Sequence, residues 1–180
     1  MNVSDGERGS AGISVLWPDV NNETFRDALR DAESSDKPNN ISPAIVYSLD
    51  EGVRALWLGD MENDYMEAIE DDIALSPVDI LFAPHHGRKS GRVPKTWLDK
   101  LEPRLIVVGE APSDELDYYS NCNTLTQNSA GDILFCCEIG KTHVYVGAPS
   151  YSVNFLGEDP NAPRVKGALH YLGSFDCGDR

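Results

Sequence analysis

An α/β (α+β) fold, with helices laid on one face of a mixed sheet, is what this sequence predicts, and three observations predict it. Between residues 44 and 109, apolar runs of strand length alternate with helical periodicity in the order strand, strand, helix, strand, helix, strand. The run at 78–83 is almost continuously apolar, the mark of a strand covered on both faces. Two further pairs of runs, 44–49 with 53–58 and 133–138 with 142–146, are joined by short turns containing glycine and read as hairpins.

Taken in order, residues 1–12 are rich in Gly, Ser and charge and are expected to be a disordered N-terminal segment. Residues 13–17 make a short strand stopped by Pro18, and 19–42 are mostly connector, with two helical turns at 24–30. The hairpin at 44–58 turns on Asp50-Glu51-Gly52 and delivers Gly59-Asp60 at its end. In 61–75, Met61, Tyr65, Ala68, Ile69 and Ile73 recur at helical spacing with the acids mostly turned away, which predicts an amphipathic surface helix. Strand 78–83 follows, then a helix at 94–101 opened by Pro94 at its first position, then strand 104–109. A polar stretch, 111–130, leads to the second hairpin. Residues 151–156 read as a last strand, and 157–180 as a C-terminal tail of loop or mobile chain. One domain, 13–156, is therefore expected.

Composition bounds the function. The chain of 180 residues is 41% hydrophobic, enough for one real core, and its net charge of −15 argues against nonspecific binding to nucleic acid or an anionic membrane. No run approaches a membrane span, and the polar start lacks the apolar core of a signal peptide, so a cytoplasmic address is expected. Cys122, Cys136, Cys137 and Cys177 have no CxxC spacing and are read as reduced thiols. P-loop, dinucleotide glycine fingerprint, GxSxG and HExxH are all missing from the sequence. A thiol pair of Cys136 or Cys137 with His143 is disfavoured because all three fall in strands, and His143 and His170 are read as structural or exposed.

The chemistry concentrates at two strand ends. Asp60 follows one apolar run, and His85-His86-Gly87 follows another, where a rigid rim can hold a carboxylate and an imidazole toward one metal ion. The plain alternatives are that Asp60 caps the next helix and that the histidines sit in a surface loop. Arg88, Lys89, Arg92 and Lys95 come next, in a segment, 85–98, with no acid at all, so the local sign opposes that of the chain. Arg88 and Lys89 could clamp a phosphate beside the metal, or could simply balance the acidic helix.

In order, Ile13-Ser-Val-Leu-Trp-Pro18, Asn39-Asn40-Ile-Ser42, Trp57-Leu58-Gly59-Asp60, Asp79-Ile-Leu-Phe-Ala-Pro-His85-His86-Gly87 and the later Thr124…Gly131-Asp-Ile133 form a series. Over residues 13–156 it resembles the metallo-β-lactamase fold, and more narrowly the hydrolase domain of DNA-uptake competence channels. The resemblance implies an αβ/βα sandwich and metal-assisted hydrolysis by a hydroxide bridging two zinc (or manganese) ions. It implies that Asp60 is the bridging aspartate and that His86, or else His85, is the last histidine ligand. The family's HxHxDH motif does not occur, nor does a histidine between Ser113 and Cys122 where competence-type domains often carry one.

The resemblance therefore extends to the C-terminal half of such a domain. The other half is expected in cis in a longer gene product or as a separate docking chain; otherwise the half is retained as a noncatalytic interaction module. With two plausible ligands the isolated chain is expected to be metal-poor, inactive, and prone to poor solubility or homo-oligomerisation through an uncovered sheet face. Three functions follow: the incomplete half of a hydrolase for a phosphodiester or similar ester, a noncatalytic scaffold, and a nucleic-acid contact through the local basic loop alone.

Overall fold

A computed structural model describes residues 2–5, 9–35 and 37–179. The chain forms a mixed sheet of seven strands, helices on one of its faces, and a separate antiparallel sheet of three strands. In the larger sheet the strands stand in sequence order: β1 (Asn2–Asp5), β2 (Gly9–Trp17), β3 (Ala44–Ser48), β4 (Arg54–Trp57), β5 (Ile80–Phe82), β6 (Leu105–Val108) and β7 (Thr124–Thr126). The first four pair antiparallel as a meander, and β4 to β7 run parallel. Four carboxyl ends therefore share one rim.

The period of two in the strands sorts side chains to two faces. Val46, Leu56, Leu81, Ile106 and Val108 point to one face and pack with Phe25 and Ala28 of α1 (Glu23–Ser35), Tyr65 and Met66 of α2 (Asn63–Ala68) and Trp97 and Leu101 of α3 (Lys95–Leu101). Their neighbours Ala55, Ile80 and Val107 point the other way, joined there by Val53. That second face is covered by β8 (Ile133–Glu138), β9 (Lys141–Val146) and β10 (His170–Asp176), in the order β10-β9-β8, through Phe135, Cys137, Phe175 and Cys177. A short helix, α4 (Gln127–Ala130), links β7 to this sheet.

Several elements differ from the sequence expectation. Residues 2–5 and 9–12, expected to be disordered, are paired strand; the rest of that expectation lies at residues 1 and 6–8, outside the described residues. Helix α1 runs 13 residues rather than two turns, opened by the Asn22 carboxamide, which accepts the Phe25 N–H at 3.2 Å. Helix α2 is shorter than the apolar periodicity, because Glu70, Asp71 and Asp72 fall where the helix dipole is negative; Ile69 and Ile73 stay buried in the turns that follow. Pro94 stands at the N-cap of α3, one position before the first helical residue.

The tail is the largest correction. Residues 170–176 are not loose chain but β10, paired along β9, while residues 151–156 are not a strand, although Tyr151, Val153, Phe155 and Leu156 pack on the core. The strand pattern of β10 is masked by Gly173, at φ +137°, where the register slips between Tyr171 and Gly173. Strand β7 was hidden too, as one apolar residue, Leu125, between two threonines.

Candidate functional site

Asp60 and the histidine pair emerge from neighbouring parallel strands, β4 and β5, at the carboxyl rim where open α/β sheets hold ligands. Three polar residues before β3 fasten the Asp60 loop. The Ser42 hydroxyl accepts the Asp60 N–H at 3.0 Å, the Asn40 carboxamide accepts the Glu62 N–H at 3.0 Å, and the Asn39 amide donates to the Glu62 carboxylate at 3.2 Å. Gly59 is required there: its φ is +58°, and a Cβ on it would lie 2.7 Å from Ser42 Cβ. The N-cap of α2 is Glu62, so the Asp60 carboxylate is not spent on capping the helix.

The histidine turn is built from strained backbone. His85 and His86 both adopt left-handed conformations, with φ of 49° and 58°, a geometry that costs a non-glycine residue about 1 kcal/mol or more. Consecutive strain of this kind points to function. The His85 N–H donates to the Gly59 carbonyl at 2.9 Å, tying the two loops together, and a Cβ on Gly109 would sit 3.1 Å from His86 Cα, so the absence of a side chain at the end of β6 lets the turn close down.

The turn sends the two imidazoles to different places. His86 Nε2 stands 3.9 Å from Asp60 Oδ1, with both side chains about half exposed. His85 instead meets the Ser90 hydroxyl through Nδ1 at 2.9 Å. It lines a depression of about 580 Å³ with Arg88 and Lys89, where the acids Glu62, Asp64 and Glu115 also face, and the Lys89 N–H is held by Glu115 at 2.7 Å. The basic pair and the Asp60–His86 pair thus lie in separate depressions.

A cation bound by oxygen and nitrogen at about 2.0–2.2 Å in a tetrahedral shell sets two donors roughly 3.4 Å apart. Asp60 and His86, at 3.9 Å, need to close by only a few tenths of an ångström, which two half-exposed side chains can do. The pair fits two corners of such a shell. Among the described residues no third His, Cys, Asp or Glu joins them to complete a cluster. His143, 3% exposed in its side chain, is held among Tyr171 and Glu138 within the smaller sheet and has no part in this rim.

Beside Asp60 and His86 a cleft of about 510 Å³ opens between the two sheets. Trp57 and Phe82, register partners across β4 and β5, stack along its wall with ring centroids 4.4 Å apart and planes 11° from parallel. Phe135 of β8 meets Phe82 edge-on at 6.2 Å, and Gln127 of α4 lines the same cleft. Sequence reasoning did not single out Phe82, Phe135 or Gln127 as site residues, because their approach depends on how the second sheet folds over the first. No known family model matches the chain, and no curated protein matches it.

Proposed function

We propose that this chain is the C-terminal half of a metallo-β-lactamase-type hydrolase, acting on a phosphodiester or similar ester from a cytoplasmic location. The observation that carries the reading is the convergence of the Asp60 carboxylate and the His86 imidazole to 3.9 Å at one rim of parallel strands. In this reading Asp60 and His86 hold the metal, zinc or manganese, and the rest of its shell comes from a second half bearing an HxHxDH segment. When bound, the metal supplies a Lewis acid and an activated water near neutral pH.

The chain's own residues do the holding. Ser42 fixes the backbone at Asp60, and the His85 N–H bond to Gly59 keeps the histidine turn at a constant height above it. His85, directed away toward Ser90, serves the turn rather than the metal. In this proposal Arg88 and Lys89, in the separate depression across the histidine turn, hold a neighbouring phosphate of the substrate rather than the ester attacked at Asp60 and His86. The test is elemental analysis of the purified chain, alone and mixed with a polypeptide carrying the HxHxDH half, together with hydrolysis of a chromogenic phosphodiester. Tight metal and turnover are expected only in the mixture, and stoichiometric metal uptake that survives both Asp60→Ala and His86→Ala overturns the reading.

A second reading, a noncatalytic interaction module, draws on the pair's isolation: two donors are one short of the three that a catalytic zinc takes from protein. It requires that the mixture, too, stay metal-poor and inert.

A further inference from the structure

We infer that the cleft beside Asp60 and His86 receives a planar aromatic ring of the substrate, stacked in line with Trp57 and Phe82. The inference names the substrate class of the proposed hydrolytic site and rests on that reading for its chemistry, while the ring-binding itself needs no metal.

The three tryptophans differ in their exposure. Trp17 and Trp97 are 1% and 0% exposed and fill the helix-covered core, whereas Trp57 stays 37% exposed at the cleft wall. An indole is costly to leave in water, and here it is not a stray surface residue, because Phe82 lies parallel against it. Phe135 closes on Phe82 from the second sheet, so the wall is fixed by both sheets and is already organised for a flat guest.

The position matters as much as the shape. Asp60 and His86 line the same cleft as Trp57 and Phe82, so a ring lodged against the stack carries its ester substituent to the Asp60–His86 rim. An aliphatic chain would gain apolar contact there but nothing from parallel ring planes. Gln127, which brings both an amide donor and an amide acceptor to the cleft, can read the edge of a heterocyclic ring and has nothing to pair with on a phenyl group. The cleft's volume lies within the range of small-ligand pockets.

The experiment uses the whole chain without metal and follows tryptophan emission, to which Trp57 contributes the solvent-exposed part, during titration with three probes. Phenyl phosphate and adenosine monophosphate carry a ring; ribose phosphate does not. Both ring-bearing probes are expected to quench the exposed emission and ribose phosphate to leave it unchanged. Tighter binding of adenosine monophosphate assigns a nucleobase-like heterocycle, and equal binding of the two assigns any flat ring.

By calorimetry, Trp57→Ala is expected to lower probe affinity roughly tenfold, the scale of one lost stacking contact. Trp57→Leu, which keeps apolar bulk without the ring, is expected to lose as much, and Trp57→Phe to keep most of it. Equal binding of ribose phosphate, or unchanged affinity in Trp57→Leu, overturns the inference. Zinc uptake is measured separately, without probe, on the same chain mixed with the polypeptide carrying the HxHxDH half. Ring binding that fails beside intact uptake removes this inference alone, and uptake that fails beside intact ring binding removes the hydrolase reading alone.

Discussion

His86 and His85 differ in what they touch, although they are adjacent and share a left-handed backbone. This difference supports His86 in the proposed reading, where the bare HHG pattern leaves the choice open. Substituting His86 or Asp60 by Ala is expected to weaken zinc binding at least tenfold, while His85→Ala, which loses the Ser90 contact, leaves it within about threefold; equal losses at both histidines in a competition titration would contradict the geometry. The thiols give a second residue-level expectation. Burial pushes Cys137 and Cys177 up from the ordinary thiol range, and Tyr119 is raised in the same way by its own burial. The unfolded chain releases thiol protons from about pH 8.5, before the folded chain does, so the stability from the neutral thiols is complete below that pH and is lost as pH rises toward their folded values. Thermal midpoints measured from neutral to alkaline pH are expected to fall, with slow alkylation of Cys177 at neutral pH; rising midpoints would contradict the assignment.

Among the elements, the opposite end of the parallel strands depends on Asp79. Its fully buried carboxylate accepts the Arg54 N–H at 2.8 Å and the Arg104 guanidinium at 2.9 Å, joining the starts of β4, β5 and β6. Asp79→Ala takes this acceptor from the Arg54 N–H and one of two carboxylates from Arg104, which keeps Asp179, and is expected to cost about 2 kcal/mol in denaturant unfolding; a loss under about 0.5 kcal/mol would show that the bond is incidental. Strand β10 makes a sharper case. Deleting residues 169–180 removes Phe175 and Cys177 from over Val53, Ala55 and Val107, so the shortened chain is expected to bind an apolar dye that the full chain excludes. An unaltered dye signal and melting temperature would return residues 170–176 to the status of a dispensable tail. The sequence made the two hairpins and the three central parallel strands legible, because their apolar runs are of strand length and bounded by turn or helix signals. It concealed β7 and β10, where a three-residue strand and a glycine bulge erase the period, and both are defined only by their neighbours.

At the scale of the molecule, the α+β architecture puts four parallel carboxyl ends on one rim and then folds a second sheet across the face that sequence reasoning expected to be bare. No helix among the described residues is long and apolar enough to cross a membrane. The candidate ligands Asp60 and His86 could be read from strand ends alone. The aromatic cleft could not, because Phe135 and Phe82 are 53 positions apart and meet only when the sheets pack. In the proposed reading Asp60 and His86 share one cation. The most direct test is a titration with paramagnetic manganese that follows the imidazole resonances of the four histidines by NMR. His86 is expected to broaden first, well before His143 and His170, and this preference is expected to vanish in Asp60→Ala. Uniform broadening of all four, or an unchanged response of His86 in Asp60→Ala, would contradict it.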